Sequence, residues 1–116
     1  MAEMADDQTL SVDATLNTLR AIGEATRLRL IALLAESELT VKDATEILRQ
    51  SQPRISRHLK LLAEAGLILR FPEGGWVYYR LADGPAGDIA RDLVARISTE
   101  DPVLIGDQER FKAIRK

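Results

Sequence analysis

Residues 40–66 read TVKDATEILRQSQPRISRHLKLLAEAG. Thr40 and Asp43 have the spacing of a capping box, with Asp in place of the usual Glu or Gln, which predicts a short helix running to about Leu48. Only Arg49 to Ser51 separate it from a second start signal, Ser51 as N-cap and Pro53 in the first turn, where a missing amide hydrogen costs nothing. In this second helix Ile55, Leu59 and Leu62 make an apolar stripe. Gly66 stands where a left-handed residue stops a helix, and Leu67 can fold back on Leu62. Two helices joined this tightly predict a helix-turn-helix, in which the first braces the second as it projects outward.

Working outward, Val12, Leu16 and Leu19 recur on one helical face, with Ser11 as N-cap and Gly23 as stop. The run from Ala25 to Glu36 is apolar around most of its circumference, which suits a helix buried in mid-domain. Downstream, Leu67 to Phe71 and Trp76 to Leu81 are rich in β-favouring side chains and are separated by Pro72, Glu73, Gly74 and Gly75, predicting a hairpin with a glycine tip. Ala86, Ile89, Ala90, Leu93 and Ile97 then return to helical spacing, and Asp101 before Pro102 starts a last helix carrying Phe111 and Ile114. The order is that of a mainly α winged helix-turn-helix with a β-hairpin, and the apolar faces left on its first helix and on the helix after the hairpin are expected to make it dimeric. The expected organisation is a flexible N-terminal arm over 1–10, a DNA-binding and dimerisation domain over 11–98, and a C-terminal helical tail or linker over 99–116.

With 116 residues, 46% hydrophobic and 29% charged, the chain fits one globular domain. It has no cysteine and a single histidine, His58, which removes thiolate, disulfide and imidazole-cluster chemistry; no metal and no cofactor are expected. No apolar run approaches the roughly 18 residues a membrane span needs, and the acidic N-terminus is unlike a signal peptide, so a cytoplasmic location without membrane contact is expected.

The net charge is only −2, but its distribution is uneven. Arg49, Arg54, Arg57 and Lys60 lie in a segment without acids, whereas Glu3, Asp6, Asp7 and Asp13 lie in one without bases. A helical wheel turns Gln52, Arg54, Ser56, Arg57 and Lys60 outward or to the borders of the second helix, offering hydrogen bonds to base edges and phosphates. A basic face alone suits solvent as well as a polyanion; its place on the second helix of a tight pair, ahead of a wing, points to nucleic acid.

The set formed by Thr26-Arg27-Leu28-Arg29-Leu30, Glu38-Leu39-Thr40-Val41, Ser51-Gln52-Pro53, Ile55-Ser56-Arg57-His58-Leu59-Lys60-Leu61-Leu62 and Trp76-Val77-Tyr78-Tyr79-Arg80-Leu81 resembles the ArsR/SmtB family of bacterial winged-helix repressors. The resemblance implies a homodimer that meets through the first and last helices, here Leu16, Leu19, Ile89, Leu93 and Ile97. It also implies double-stranded DNA with a palindromic operator as partner. Thr40, Ser51, Gln52, Arg54, Ser56, Arg57 and Lys60 would contact that DNA, joined by Arg70, Gly74 and Gly75 from the wing. In the metal-sensing members a cysteine pair flanks the valine of the first helix of the pair; Thr40 and Lys42 stand there instead, so a non-metal small-molecule or protein effector is implied. The tail Asp101-Pro102-Val103-Leu104 with Arg110 and Phe111 is similar to the amino-terminal part of fusions between this module and an S-adenosylmethionine-dependent methyltransferase, and an ending at Lys116 within a charged helical run agrees with truncation of such a fusion.

Other residues carry less. His58 falls on the inward edge of its helix, suiting packing or hydrogen bonding more than ligation. Trp76, Tyr78 and Tyr79 suit wing stiffening and core more than a ligand cage, since alternation sends Tyr79 opposite to the other two. Asp88 and Asp92 lack any accompanying nucleophile or cofactor loop, so no enzymatic activity is expected. Three functions stay open at the level of residues: a repressor, the regulatory domain of a longer enzyme, and a winged-helix protein-docking module.

Overall fold

The computed structural model describes residues 8–115, so most of the expected N-terminal arm lies outside the described residues. Among the described residues six helices and three short strands follow in the order α1 (Val12–Ile22), α2 (Ala25–Leu34), β1 (Leu39–Thr40), α3 (Val41–Leu48), α4 (Gln52–Glu64), β2 (Ile68–Glu73), β3 (Trp76–Leu81), α5 (Pro85–Ala95) and α6 (Pro102–Ile114). This is a winged helix-turn-helix. Among the described residues no helix is long and apolar enough to cross a membrane.

The caps fall where the side chains required them. Ser11 Oγ accepts from the Ala14 amide at 3.0 Å, and Asp101 Oδ1 accepts from the Val103 amide at 2.9 Å. Each satisfies one amide that the first helical turn leaves without a backbone partner. Gly66 has φ +78°, and the Leu67 amide donates to the Leu62 carbonyl at 3.0 Å, closing α4 with the backbone reversal expected of a left-handed stop. Leu30, Ile31, Leu33, Ile47, Ile55, Leu59, Leu62, Leu67 and Ile68 make one core on which α2 sits centrally. Burying each such side chain contributes about 1.5–3 kcal/mol before the entropy of ordering the chain is set against it.

Three details differ from the reading of the sequence. The wing is longer: β2 continues through Pro72 to Glu73, which pairs with Trp76, leaving a tip of only Gly74 and Gly75. The sheet order β1-β3-β2 makes β2 an edge strand, where a proline without an amide hydrogen is tolerated. Both tip glycines have positive φ, 62° and 85°, as a two-residue turn matched to strand twist requires. Secondly, Leu39 and Thr40 form β1 against Tyr79 and Tyr78, a two-residue pairing too short to leave a periodic signal. Thirdly, α5 ends at Ala95, so Ile97 lies beyond the helix expected to carry it. Its amide is held in a turn by the Val94 carbonyl.

Candidate nucleic-acid interface

The projecting helix is positioned from behind. Ile55, His58, Leu59 and Leu62 of α4 are buried, and one turn closes α3 onto it. The capping box of α3 is complete: Thr40 Oγ1 accepts from the Asp43 amide and Asp43 Oδ2 from the Thr40 amide, both at 3.1 Å. At the other end of α3, Arg49 adopts left-handed backbone angles, φ 58° and ψ 45°. A non-glycine residue there costs roughly 1–2 kcal/mol, offset by the cap bond from its amide to the Thr45 carbonyl at 2.9 Å.

Gln50 then organises the turn. Its Nε2 donates to the buried Thr26 Oγ1 on α2 at 3.0 Å, and its Oε1 accepts from Arg54 Nε at 3.2 Å. The guanidinium of Arg54 is thereby oriented by a chain of contacts that starts in the core. Ser51 Oγ faces the Arg54 amide at 3.4 Å as a long cap contact.

The outward face is the one read from the sequence. Gln52, Arg54, Arg57 and Lys60 are exposed, Ser51 joins them at the helix start, and Ser56 is half-buried. Gln52 Nε2 donates to Ser56 Oγ at 2.9 Å along this face. Arg57 and Lys60 make no side-chain hydrogen bond or ion pair among the described residues, so their charges are open to an incoming anion. On the wing Arg70, Gly74 and Gly75 are exposed. Arg80, by contrast, donates to the Leu81 carbonyl at 3.2 Å and lies 3.9 Å from Asp83, which leaves Arg70 as the more available wing cation. Thr40 is half-buried, its hydroxyl oxygen engaged by the cap.

A second surface is apolar. Leu16 and Leu19 of α1 are 41% and 47% exposed, and Leu93 of α5 is 37% exposed. Ile89 packs partly against the core, and Ile97 turns towards α2 and α6. Of the five residues in the expected dimer stripe, three therefore present open aliphatic surface.

Two arrangements behind the face carried no sequence signal. Arg27 of α2 donates through Nε to the Ala21 carbonyl at 2.5 Å and through Nη1 to His58 Nδ1 at 3.1 Å, tying α1, α2 and α4 together. On the far side of α2, Asp107 of α6 is buried between Arg29 and Arg110. Both rest on pairs of residues distant in sequence, which composition and spacing cannot connect. Among the described residues no group of three metal-ligating side chains gathers.

The description "Bacterial regulatory protein, arsR family" matches residues 24–69, which run from the cap of α2 into β2. The chain is 50% identical over 64 residues to the arsenical resistance operon repressor of Escherichia coli (54% of this chain, 55% of that protein). It is 37% identical over 84 residues to the HTH-type transcriptional repressor SmtB of Mycobacterium tuberculosis (72% of this chain, 62% of that protein). The chain thus spans little more than half the length of these relatives. Among solved structures, the homodimeric winged helix-turn-helix DNA-binding domain of Mb0332 from Mycobacterium bovis superposes with a TM-score of 0.64 at 30% identity, covering 72% of this chain and 74% of that one.

Proposed function

The chain belongs to the ArsR family of bacterial regulatory proteins, and from that premise we propose that it is a sequence-specific DNA-binding transcriptional repressor acting as a homodimer in the cytoplasm. The observation that carries this reading is the outward face of α4. Gln52, Arg54, Arg57 and Lys60 are exposed on a helix whose opposite face is locked into the core, and Arg54 is aimed by Gln50.

Such a helix enters the major groove, where Arg54 and Arg57 in its first half reach base edges and Lys60, a turn further on, meets the backbone. In this reading Ser51, exposed at the start of α4, contacts phosphate, and so does Thr40 at the start of α3, whose capping hydroxyl oxygen leaves its proton to donate. The wing adds Arg70 and the exposed amides of Gly74 and Gly75. Leu16, Leu19 and Leu93 supply the dimer surface, and a dimer presents two copies of α4. The operator is then an imperfect palindrome with half-sites roughly 34–36 Å apart. Thr40 and Lys42 provide no thiolate, so the signal is a small molecule or protein and not a thiolate-bound metal.

Selection of duplexes from a random pool, followed by anisotropy titration of the winner against scrambled DNA, tests the proposal. A palindromic winner bound at least about a thousandfold more tightly than scrambled duplex is the expected result. Equal affinity for both would overturn the repressor reading.

A further inference from the structure

α6 is built into the domain through charge. Asp107, 1% exposed, accepts from Arg29 Nε at 2.9 Å and Nη2 at 2.7 Å on α2, and from Arg110 Nη2 at 2.8 Å on its own helix. Arg110 Nε then donates to the carbonyl of Ile47 at 2.5 Å, in the last turn of α3. A continuous polar path therefore runs from α2 through α6 to the helix that carries the turn into α4.

Beside this path α2, the end of α5 and α6 enclose a groove of about 390 Å³. That volume lies in the range of small-molecule sites. Leu33, Val94, Ile97 and Leu104 give it an aliphatic lining. Of its acids, Asp107 is shared between two guanidiniums, whereas Glu36, which accepts from the uncharged Gln108 Nε2 at 2.8 Å, and Glu109 keep their charge at the exposed edge. Its cations have donors to spare: Arg29 uses only Nε and Nη2 on Asp107, leaving Nη1 without a partner among the described residues, and Lys112 at the rim makes no ion pair among them. Aliphatic surface beside two available cationic donors complements an alkyl chain ending in a carboxylate, because the chain leaves water while the charged group gains charge-assisted hydrogen bonds.

We propose that this groove binds a small aliphatic carboxylate and that its occupancy is passed to α3 along Arg29, Asp107 and Arg110. The second half deepens the repressor reading by naming its effector class; the first half stands without it.

Octanoate, below its micelle-forming concentration, is the probe, titrated into the isotope-labelled chain with amide resonances followed by NMR. Shifts should appear in α2, residues 94–99 and α6, and extend to residues 45–50 at the end of α3. The exposed substitution Lys112→Glu should weaken octanoate roughly tenfold, the loss of one charge-assisted contact, and octan-1-ol should bind the wild type weaker by a similar factor. Arg110→Gln should retain the groove shifts and lose those at residues 45–50. Absence of groove shifts, or octan-1-ol binding as tightly as octanoate, would overturn the carboxylate site. Groove shifts that never reach α3, or that reach it equally in Arg110→Gln, would overturn the path. None of these readouts uses DNA, so a failure of the α4 reading is seen separately in the duplex titration.

Discussion

Arg27 Nη1 lies 3.1 Å from His58 Nδ1, and because a guanidinium can only donate, this ring nitrogen is the acceptor and the neutral imidazole carries its proton on Nε2. Protonating Nδ1 would set two donors against each other. Burial holds the His58 pKa below its usual 6.5; the Glu24 carboxylate, 3.8 Å away, opposes that shift, while Arg27, Arg54 and Arg57 add to it. Between the folded value and 6.5 the unfolded chain binds more protons, so stability is complete above about 6.5 and is lost as pH falls through that window. Glu24 sits below its usual 4.5: burial would raise it, but the Arg27 amide and the charges of His58 and Arg27 outweigh burial. Its contribution is lost later, as pH falls below 4.5 through the lowered value. Thermal melts from pH 7.5 downward should show the midpoint dropping below about pH 6.5, and His58→Gln should flatten the first part of that decline. A wild-type midpoint indifferent to pH between about 6.5 and 5 would contradict the buried neutral histidine.

Removing Asp107 strands two cations on a surface built around its carboxylate. Breaking a buried pair from one side costs about 3–5 kcal/mol, discounted here to roughly 2–3 because Arg29 and Arg110 are partly exposed and can rehydrate. Urea denaturation of Asp107→Ala should show that loss at an unchanged slope, and a loss under about 0.5 kcal/mol would mean that α6 is not anchored by charge.

Leu93→Glu places a carboxylate on the exposed aliphatic surface of α5, a helix that packs against the α1 of Leu16 and Leu19. If that surface is the dimer contact, sedimentation should move from dimer to monomer while far-ultraviolet circular dichroism stays that of the folded chain, because Leu93 is already 37% exposed within one subunit. An intact Leu93→Glu dimer would place the contact elsewhere.

Arginines that grip guanine edges carry about 1–3 kcal/mol of discrimination, whereas a phosphate contact chiefly releases counterions. Arg54→Ala and Arg57→Ala should therefore lose operator affinity much more than affinity for scrambled DNA. Lys60→Ala should weaken both alike and reduce the salt slope by roughly one unit. Gln50→Ala should resemble a weaker Arg54→Ala, since Gln50 aims that side chain from its anchor on Thr26. Full operator preference in both arginine variants would show that α4 is not the reading element.

Zinc, cadmium or arsenite should leave duplex affinity unchanged in anisotropy titrations, given the absence of cysteine and the lone histidine already held by Arg27. A stoichiometric response to any of them would require ligands other than thiolates.

Most of the elements were legible in the chain because their signals are local. Ser11, Thr40 with Asp43, Ser51 with Pro53, Gly66 and Asp101 each act within a turn of themselves, and every one lies at the boundary it marked. The exposed face of α4 was legible for a related reason: a stripe of Ile55, Leu59 and Leu62 leaves the basic residues no other side to occupy.

Sequence by itself thus determined where α1, α3, α4 and α6 start, where α4 stops, and that the cations of α4 point away from the core, since these follow from capping and from a period of 3.6 residues. Only the tertiary structure decided that Pro72 joins the wing, because the tolerance of a proline depends on β2 being an edge strand. It alone brought Arg27 to His58 and Arg29 to Asp107, the latter 78 residues apart. It also set Gln50 between Thr26 and Arg54. Long-range pairs of this kind depend on how whole helices stack, and stacking is settled by the packing of the complete core, which no local pattern encodes.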